Sequence, residues 1–362
     1  MIKNINIDLL YQPLLQKPPM TPDQLQQQAV SADKTTINHW EKTWMKNIRA
    51  CKEHFGSFAQ YSIGKLHGLN RYRPAIVIGS GPSLGETLKA LKENQELDYP
   101  LLTISCLHNY GYFKDHGIKI DYYLTLDAGD IVKGDVAEGQ SKTLEEYMLM
   151  SHDDKLLAFI GTDPELFKMW KGQVFLFNSM VPDMRIRKEF DEVEVFRHFI
   201  SSGGNALGAC MYAAKAIMGS STIIYTGADF CFSYDNKFHS YSTHYDDLGN
   251  YVLWSDVFGV VRKTWSSYLN FKFWFDKISM TVPGTWINSS FGLLGAYQGG
   301  NLSSFQYMPL EAVLQQYRMT SEVSVTDTKV GDYGQLVVDK VTKLKLADLY
   351  ADPTYEKHIS LF

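Results

Sequence analysis

The run Gly79-Ser80-Gly81-Pro82-Ser83 follows directly on Ala75–Ile78, four apolar and mostly β-branched residues. An apolar run of that length marks a strand buried on both faces. Gly79 and Gly81 let the backbone turn tightly and come close to a ligand. Ser83, with Glu86 three residues on, has the pattern of a capping box opening a helix over about 84–94. Unpaired N–H groups at a helix start attract an anion. The chemistry expected at 79–83 is therefore phosphate or nucleotide binding, weighed against a plain strand-to-helix turn. The third glycine of the dinucleotide fingerprint is missing and no Gly-Lys-Ser/Thr follows, so the run is neither of the common phosphate loops. Further along, His239 lies in a polar, aromatic stretch. An unperturbed imidazole titrates near neutrality and can take a proton from a hydroxyl. His244 is its rival, and a solvated loop histidine is the plainer reading of either.

These residues need a scaffold, and the sequence supplies one. Buried strands are expected at Ala75–Ile78, Leu101–Cys106, Asp121–Asp127, Lys155–Gly161, Gln173–Asn178 and Ser221–Thr226, with an alanine-rich helix over Asn205–Met218 stopped by Gly219. Strand–helix alternation of this kind predicts an α/β, Rossmann-like, doubly wound and mostly parallel sheet. Ligands in such sheets bind beyond the carboxyl ends of the strands. That rule gathers Gly79–Ser83, His108-Asn109, Asp127 and Gly227-Ala228-Asp229 at one rim. Ser201-Ser202-Gly203-Gly204 precedes the alanine-rich helix and offers a second backbone-rich site. Residues 231–260 read as a long rim loop or lid, followed by a helix near Thr264–Ile278; Tyr241, Tyr245 and Trp254 are candidates to stack on a sugar or base, against core packing as the default.

Three segments are expected: a helical N-terminal extension over 1–70, a nucleotide-binding domain over 71–312, and a small C-terminal addition over 313–362. In the first, Thr21-Pro22 signals a helix start, and Ile37, Trp40, Trp44, Ile48, Cys51 and Phe55 recur at helical spacing. That stripe is either packed on the main domain or a surface for an oligomer or partner. In the last, a helix over Leu310–Arg318 is followed by alternating Val/Thr segments that suit a hairpin.

Composition narrows the function. A net charge of -5 leaves no excess of basic residues for a nucleic-acid backbone. Cys51, Cys106, Cys210 and Cys231 lack metal-ligand spacing and fit a reducing cytoplasm. No signal-peptide pattern and no apolar run of about 20 residues is present, so a cytoplasmic protein without a membrane span is expected.

The segment Ile78–Leu84 with Asp121 and Asp127, then Ser201–Gly204 and Ile223–Phe230, resembles a prokaryotic family. It contains the motility accessory factors (Maf), linked to flagellin glycosylation, and the 6-hydroxymethylpterin diphosphokinase MptE-like proteins. The same blocks are similar to bacterial sialyltransferases of the Campylobacter type, and Asp256–Gly259 through Trp286–Ser289 looks like the family's downstream part. The resemblance implies a nucleotide held by Gly79, Ser80, Gly81, Pro82, Ser83, Asn109, Asp127, Ser201, Ser202, Gly203, Gly204, Gly227 and Asp229, with His239 as base. It implies a glycosyltransferase-like enzyme whose donor substrate is a CMP-linked nonulosonic acid and whose acceptor is a hydroxyl of a protein or glycan, with no metal. The alternative is pyrophosphoryl transfer from ATP, with magnesium held by Asp127, Asp130 and Asp229. A third reading is a binding or assembly protein that has kept the fold without the chemistry.

Overall fold

The run Ala75–Ile78 forms β1, buried at every position. It pairs in parallel with β2 (Leu102–Cys106) on one side and with β7 (Thr222–Thr226) on the other. With both edges paired and both faces covered, no position of β1 meets water, so its side chains show no polar alternation. The computed structural model describes residues 22–129, 141–180, 186, 188, 199–241, 251–296 and 303–326.

Beyond β2 the sheet continues through β3 (Tyr122–Thr125), β4 (Lys155–Phe159), β5 (Gln173–Ser179) and β6 (Phe199–Ile200). Beyond β7 it continues through β10 (Thr285–Asn288) and β11 (Phe305–Tyr307). All pairings in this nine-stranded sheet are parallel among the described residues. The chain winds outward from β1 in one direction, then returns to its other side, which is the doubly wound Rossmann-like arrangement with the reversal between β1 and β7.

The helix expected from Thr21-Pro22 and the one expected from the aromatic stripe are one helix, α1 (Pro22–Phe55). Ile37, Ile48 and Cys51 are buried. The Asn47 amide donates to the carbonyls of Ala128 (2.8 Å) and Gly161 (3.0 Å), tying α1 to the segments that follow β3 and β4. Trp40 fills the space a side chain at Gly129 would need, 2.7 Å from an added Cβ. The stripe thus packs on the sheet's carboxyl edge.

The helix after β1 is α2 (Leu84–Gln95). The short helices α3 (Tyr110–Asp115), α4 (Leu144–Leu149) and α5 (Pro164–Met169) follow β2, β3 and β4. The alanine-rich helix is shorter than expected: α6 (Ala206–Tyr212) passes into a π turn at Ala213–Ile217. Gly219, at φ +81°, then stops it. Helix α6 lies across β1, β2 and β3.

The stretch read as a rim loop contains a hairpin, β8 (Tyr251–Ser255) antiparallel to β9 (Val261–Trp265). It leads directly into α7 (Ser266–Thr281). Trp254 sits in a core cluster with Cys231, Leu269 and Leu293, which removes it from the sugar-stacking candidates. Tyr245, His244 and Asp130 lie outside the described residues.

The chain divides after Tyr307. The second unit holds α8 (Leu310–Thr326), which runs past the expected end at Arg318 into the first Val/Thr segment. The remainder of the expected hairpin lies outside the described residues. Among the described residues, no helix is long and apolar enough to cross a membrane.

Candidate functional site

The sheet order reverses between β1 and β7, and the glycine turns that follow their carboxyl ends line one cleft there. The turns are stitched together: Gly79 N–H donates to Thr226 O (2.9 Å) and Gly81 N–H to Gly227 O (2.8 Å). A Cβ on Gly79 would lie 2.3 Å from Gly227 O, and one on Gly81 2.3 Å from an Asp229 carboxylate oxygen. Gly227 also takes φ +61°. Glycine is required here first for the contact between the two turns.

The capping box expected at Ser83 does not form. Ser83 has helical backbone angles and makes no side-chain cap bond to its own helix. Asp229 Oδ2 instead accepts from both Ser83 N–H and Ser83 Oγ–H, each at 2.9 Å. Its Oδ1 accepts from Phe291 N–H at 3.2 Å. A carboxylate from the end of β7 therefore caps α2, taking the place at the helix start that a phosphate would take. Burial pushes the Asp229 carboxyl up from its usual range, opposed by the Ser83 and Phe291 hydrogen bonds.

A cleft of about 390 Å³ opens beside these turns. Of the residues selected from sequence, Gly79, Ser80, Gly81, Asp127, Gly227, Asp229 and His239 line it. Pro82, Ser83, Asn109 and Ser201–Gly204 are not among its lining residues. Asn109 is fully buried, and its amide donates to Gly79 O (3.0 Å) and Ser105 Oγ (2.9 Å), so it holds the glycine turn from below. Asp121 lies at the opposite end of the sheet, accepting from Thr103 N–H and Oγ–H at the start of β2. Gly203 and Gly204, at φ +58° and +86°, make room for α7: added Cβ atoms would meet Trp274 at 2.4 Å and Phe271 at 3.1 Å. The cleft is reached instead by the next residue, Asn205, whose side chain caps α6 by accepting from Gly208 N–H (2.8 Å).

His239 is not a solvated loop residue. Its Nδ1 lies 2.9 Å from His108 Nε2, and its half-buried ring stacks on Phe238 with centroids 3.8 Å apart. Burial first, then the neighbouring His108, brings its pKa down to about 2, so it stays neutral at working pH. The segment is anchored around the pair. Ser240 N–H donates to Ser80 O (3.1 Å), and Tyr241 O–H donates to His108 O (3.1 Å). Tyr241 is thus part of the support of the histidine pair.

His108, which the strand-end rule placed at the rim without a role, lines the cleft too, and so do Phe230, Phe238, Tyr268 and Phe271, which were given no site role from sequence. His108 had a signal, since it ends β2 beside Asn109. Tyr268 and Phe271 had one too, in their helical spacing.

Of the carboxylates that the pyrophosphoryl reading assigns to magnesium, Asp127 and Asp229 are described and Asp130 is not. Asp229 already accepts three hydrogen bonds inside the fold, while Asp127 is exposed at the rim. Among the described residues, no three His, Cys, Asp or Glu side chains converge to hold a metal ion.

A family model described as 6-hydroxymethylpterin diphosphokinase MptE-like matches residues 43–235, more than half of the sequence. The match covers both glycine turns, His108 and Asp229, and ends before His239 and α7. Among solved structures, the Maf glycosyltransferase from Magnetospirillum magneticum AMB-1 is similar, with a TM-score of 0.51 and 17% identity. The similarity covers 72% of this chain and 38% of that one, so the chain spans about two fifths of its length. At this identity the likeness shows the shared fold alone. No curated protein matches.

Proposed function

The chain belongs to the 6-hydroxymethylpterin diphosphokinase MptE-like family, and from that premise we propose a transferase that binds a nucleotide-activated sugar and passes the sugar to a hydroxyl acceptor. The observation that carries this is the cleft at the β1/β7 reversal, which joins two glycine turns, an aromatic wall and the His108–His239 pair in one site. The nucleotide phosphate lies along Gly79–Gly81 and Gly227. The donor is a CMP-linked nonulosonic acid, and the acceptor is a hydroxyl of a protein or glycan.

In the reaction, the acceptor oxygen forms a bond to the anomeric carbon, and the carbon–oxygen bond to phosphate breaks. The phosphate leaves with the electron pair, and the acceptor proton passes to His239 Nε2. For Nε2 to accept, His239 must carry its own proton on Nδ1 and donate it to His108 Nε2. The pair permits this tautomer without imposing it, because His108 Nε2 can donate as well as accept, unlike the carboxylate of better-known histidine bases. Charge developing on the departing phosphate favours the imidazolium that results, offsetting the burial that holds it neutral beforehand.

Pyrophosphoryl transfer from ATP is the second reading, favoured by the family description and disfavoured by the engagement of Asp229 in three hydrogen bonds inside the fold. Thermal stabilisation separates the two, because a ligand that binds the folded state raises its apparent stability. CMP, CDP, UDP, GDP and ATP are compared with and without magnesium. A rise with CMP that needs no metal is expected; a rise confined to ATP with magnesium would overturn the glycosyl reading. No rise with any nucleotide would support the non-catalytic reading.

A further inference from the structure

Helix α7 buries two different faces. Leu269 enters the core cluster of Cys231, Trp254 and Leu293, with Phe273 packed against it. Tyr268 and Phe271 belong to another face, at i and i+3, and line the cleft while remaining half-buried. Their rings are 6.3 Å apart and tilted by 38°.

Both rings are held from behind. Trp265 packs edge-on to Tyr268 at 5.1 Å. Gly204 leaves the space that Phe271 occupies, and Gly203 leaves the space beside Trp274. Trp265 also meets Phe238 at 5.4 Å, and Phe238 stacks on His239 at 3.8 Å. A continuous series of rings therefore runs from the proposed base to Phe271.

The core does not require this aromatic surface, since α7 already buries Leu269, Phe275 and Ile278. Half-buried rings that line an open cleft gain by covering themselves with a flat apolar partner. The cleft, at about 390 Å³, lies within the roughly 300–1,000 Å³ of small-molecule sites.

We infer that Tyr268 and Phe271 form the subsite for the planar base of the nucleotide, which stacks on them while its phosphate reaches the glycine turns. The inference rests on the nucleotide reading above. It assigns α7, beyond the family match, the selection of the base, and leaves the Ser201–Gly204 segment the task of seating the stacking rings.

The test is calorimetric binding of CMP and of ribose 5-phosphate, which lacks a base, to wild type, Phe271→Leu, Tyr268→Ala, Phe271→Tyr and Tyr268→Phe. Phe271→Leu and Tyr268→Ala are each expected to weaken CMP about tenfold, within the range for loss of one base–aromatic stack. They should leave ribose 5-phosphate unchanged. Phe271→Tyr and Tyr268→Phe, which keep the rings, should bind CMP within about twofold of wild type. Unchanged CMP affinity in Phe271→Leu and Tyr268→Ala, with wild type binding CMP, overturns the subsite alone. Equal losses for CMP and ribose 5-phosphate also overturn it, because a phosphate effect is not a stacking effect. A wild-type protein that binds neither CMP nor any other nucleotide overturns the nucleotide reading itself.

Discussion

His108 Nε2 and His239 Nδ1 stand 2.9 Å apart, joining segments separated by 131 residues. Two neutral imidazoles can share one hydrogen bond in two ways. With the shared proton on His239, its Nε2 is a base; with it on His108, the same Nε2 carries a hydrogen and can only donate. The tautomer of the pair therefore decides whether His239 Nε2 can accept a proton or can only donate a hydrogen bond.

Because the larger cause of the depressed His239 pKa is burial and the smaller is His108, removing His108 should raise the value without restoring it. His108→Ala is expected to bring the His239 ring part of the way from about 2 towards 6.5. An NMR titration of the ring protons from pH 7 to 3 checks this. A His239 ring that already protonates near 6.5 in the wild type contradicts the buried pair.

The same group fixes the sign of one pH effect on stability. Unfolded, the His239 side chain titrates near 6.5; folded, near 2. Between those values the unfolded chain binds a proton that the folded chain does not, so stability falls as the pH drops below 6.5. Above 6.5 both states are neutral and the contribution is flat. The slope reaches at most about 1.4 kcal/mol per pH unit, and less at a half-buried ring that water still reaches. His239→Gln should lose less stability than wild type between pH 6.5 and 4.5 in urea denaturation. Parallel curves would mean that the folded protein protonates the ring normally.

Such long-range pairings mark the limit of what the sequence could tell. Ala75–Ile78 was legible because a strand buried on both faces has no polar position to blur it. Thr285–Asn288 has only two apolar residues between polar ends, and its place beside β7 comes from pairing. The hairpin β8–β9 was read as a loop because its faces are half-buried and its aromatic residues do not alternate. At the site, polarity and strand ends located the rim, and seven of the selected residues do line the cleft. Nothing local at Ser83 indicates that its N–H and hydroxyl serve a carboxylate 146 residues away. The same holds for Asn109, whose amide turns inward to Gly79.

Asp229 should accordingly matter to the fold before it matters to any ligand. Asp229→Ala strands the buried Ser83 hydroxyl and two N–H donors and uncaps α2. Each buried donor left without a partner costs about 1–3 kcal/mol, and a lost helix cap about 1 kcal/mol. A loss of about 3 kcal/mol or more in chemical denaturation is expected. Asp229→Asn keeps an oxygen for either Ser83 or Phe291 and should lose roughly half as much. If Asp229→Ala unfolds like wild type while losing CMP binding, the residue is a ligand contact and not a cap.

The glycine turns give the sharpest steric prediction. Gly79 and Gly227 face each other: an added Cβ on Gly79 would lie 2.3 Å from Gly227 O, and one on Gly227 2.5 Å from Gly79 O. Both obstacles are backbone, held by the Gly79–Thr226 and Gly81–Gly227 hydrogen bonds, so neither can swing aside as a side chain would. Separating the turns would break those bonds and pull Asp229 from Ser83. Gly79→Ala should therefore cost several kcal/mol, beyond the roughly 1–3 kcal/mol of ordinary overpacking. Gly227→Ala should cost at least as much, because φ +61° adds backbone strain to the collision. Gly117→Ala is the control, with φ +65° and nothing within 4 Å of an added Cβ. It should lose only about 1–2 kcal/mol, the cost of that conformation alone. Urea midpoints for the three variants measure the difference. Equal losses at Gly79 and Gly117 would mean that the turns separate easily, and that their contact does not fix the shape of the cleft.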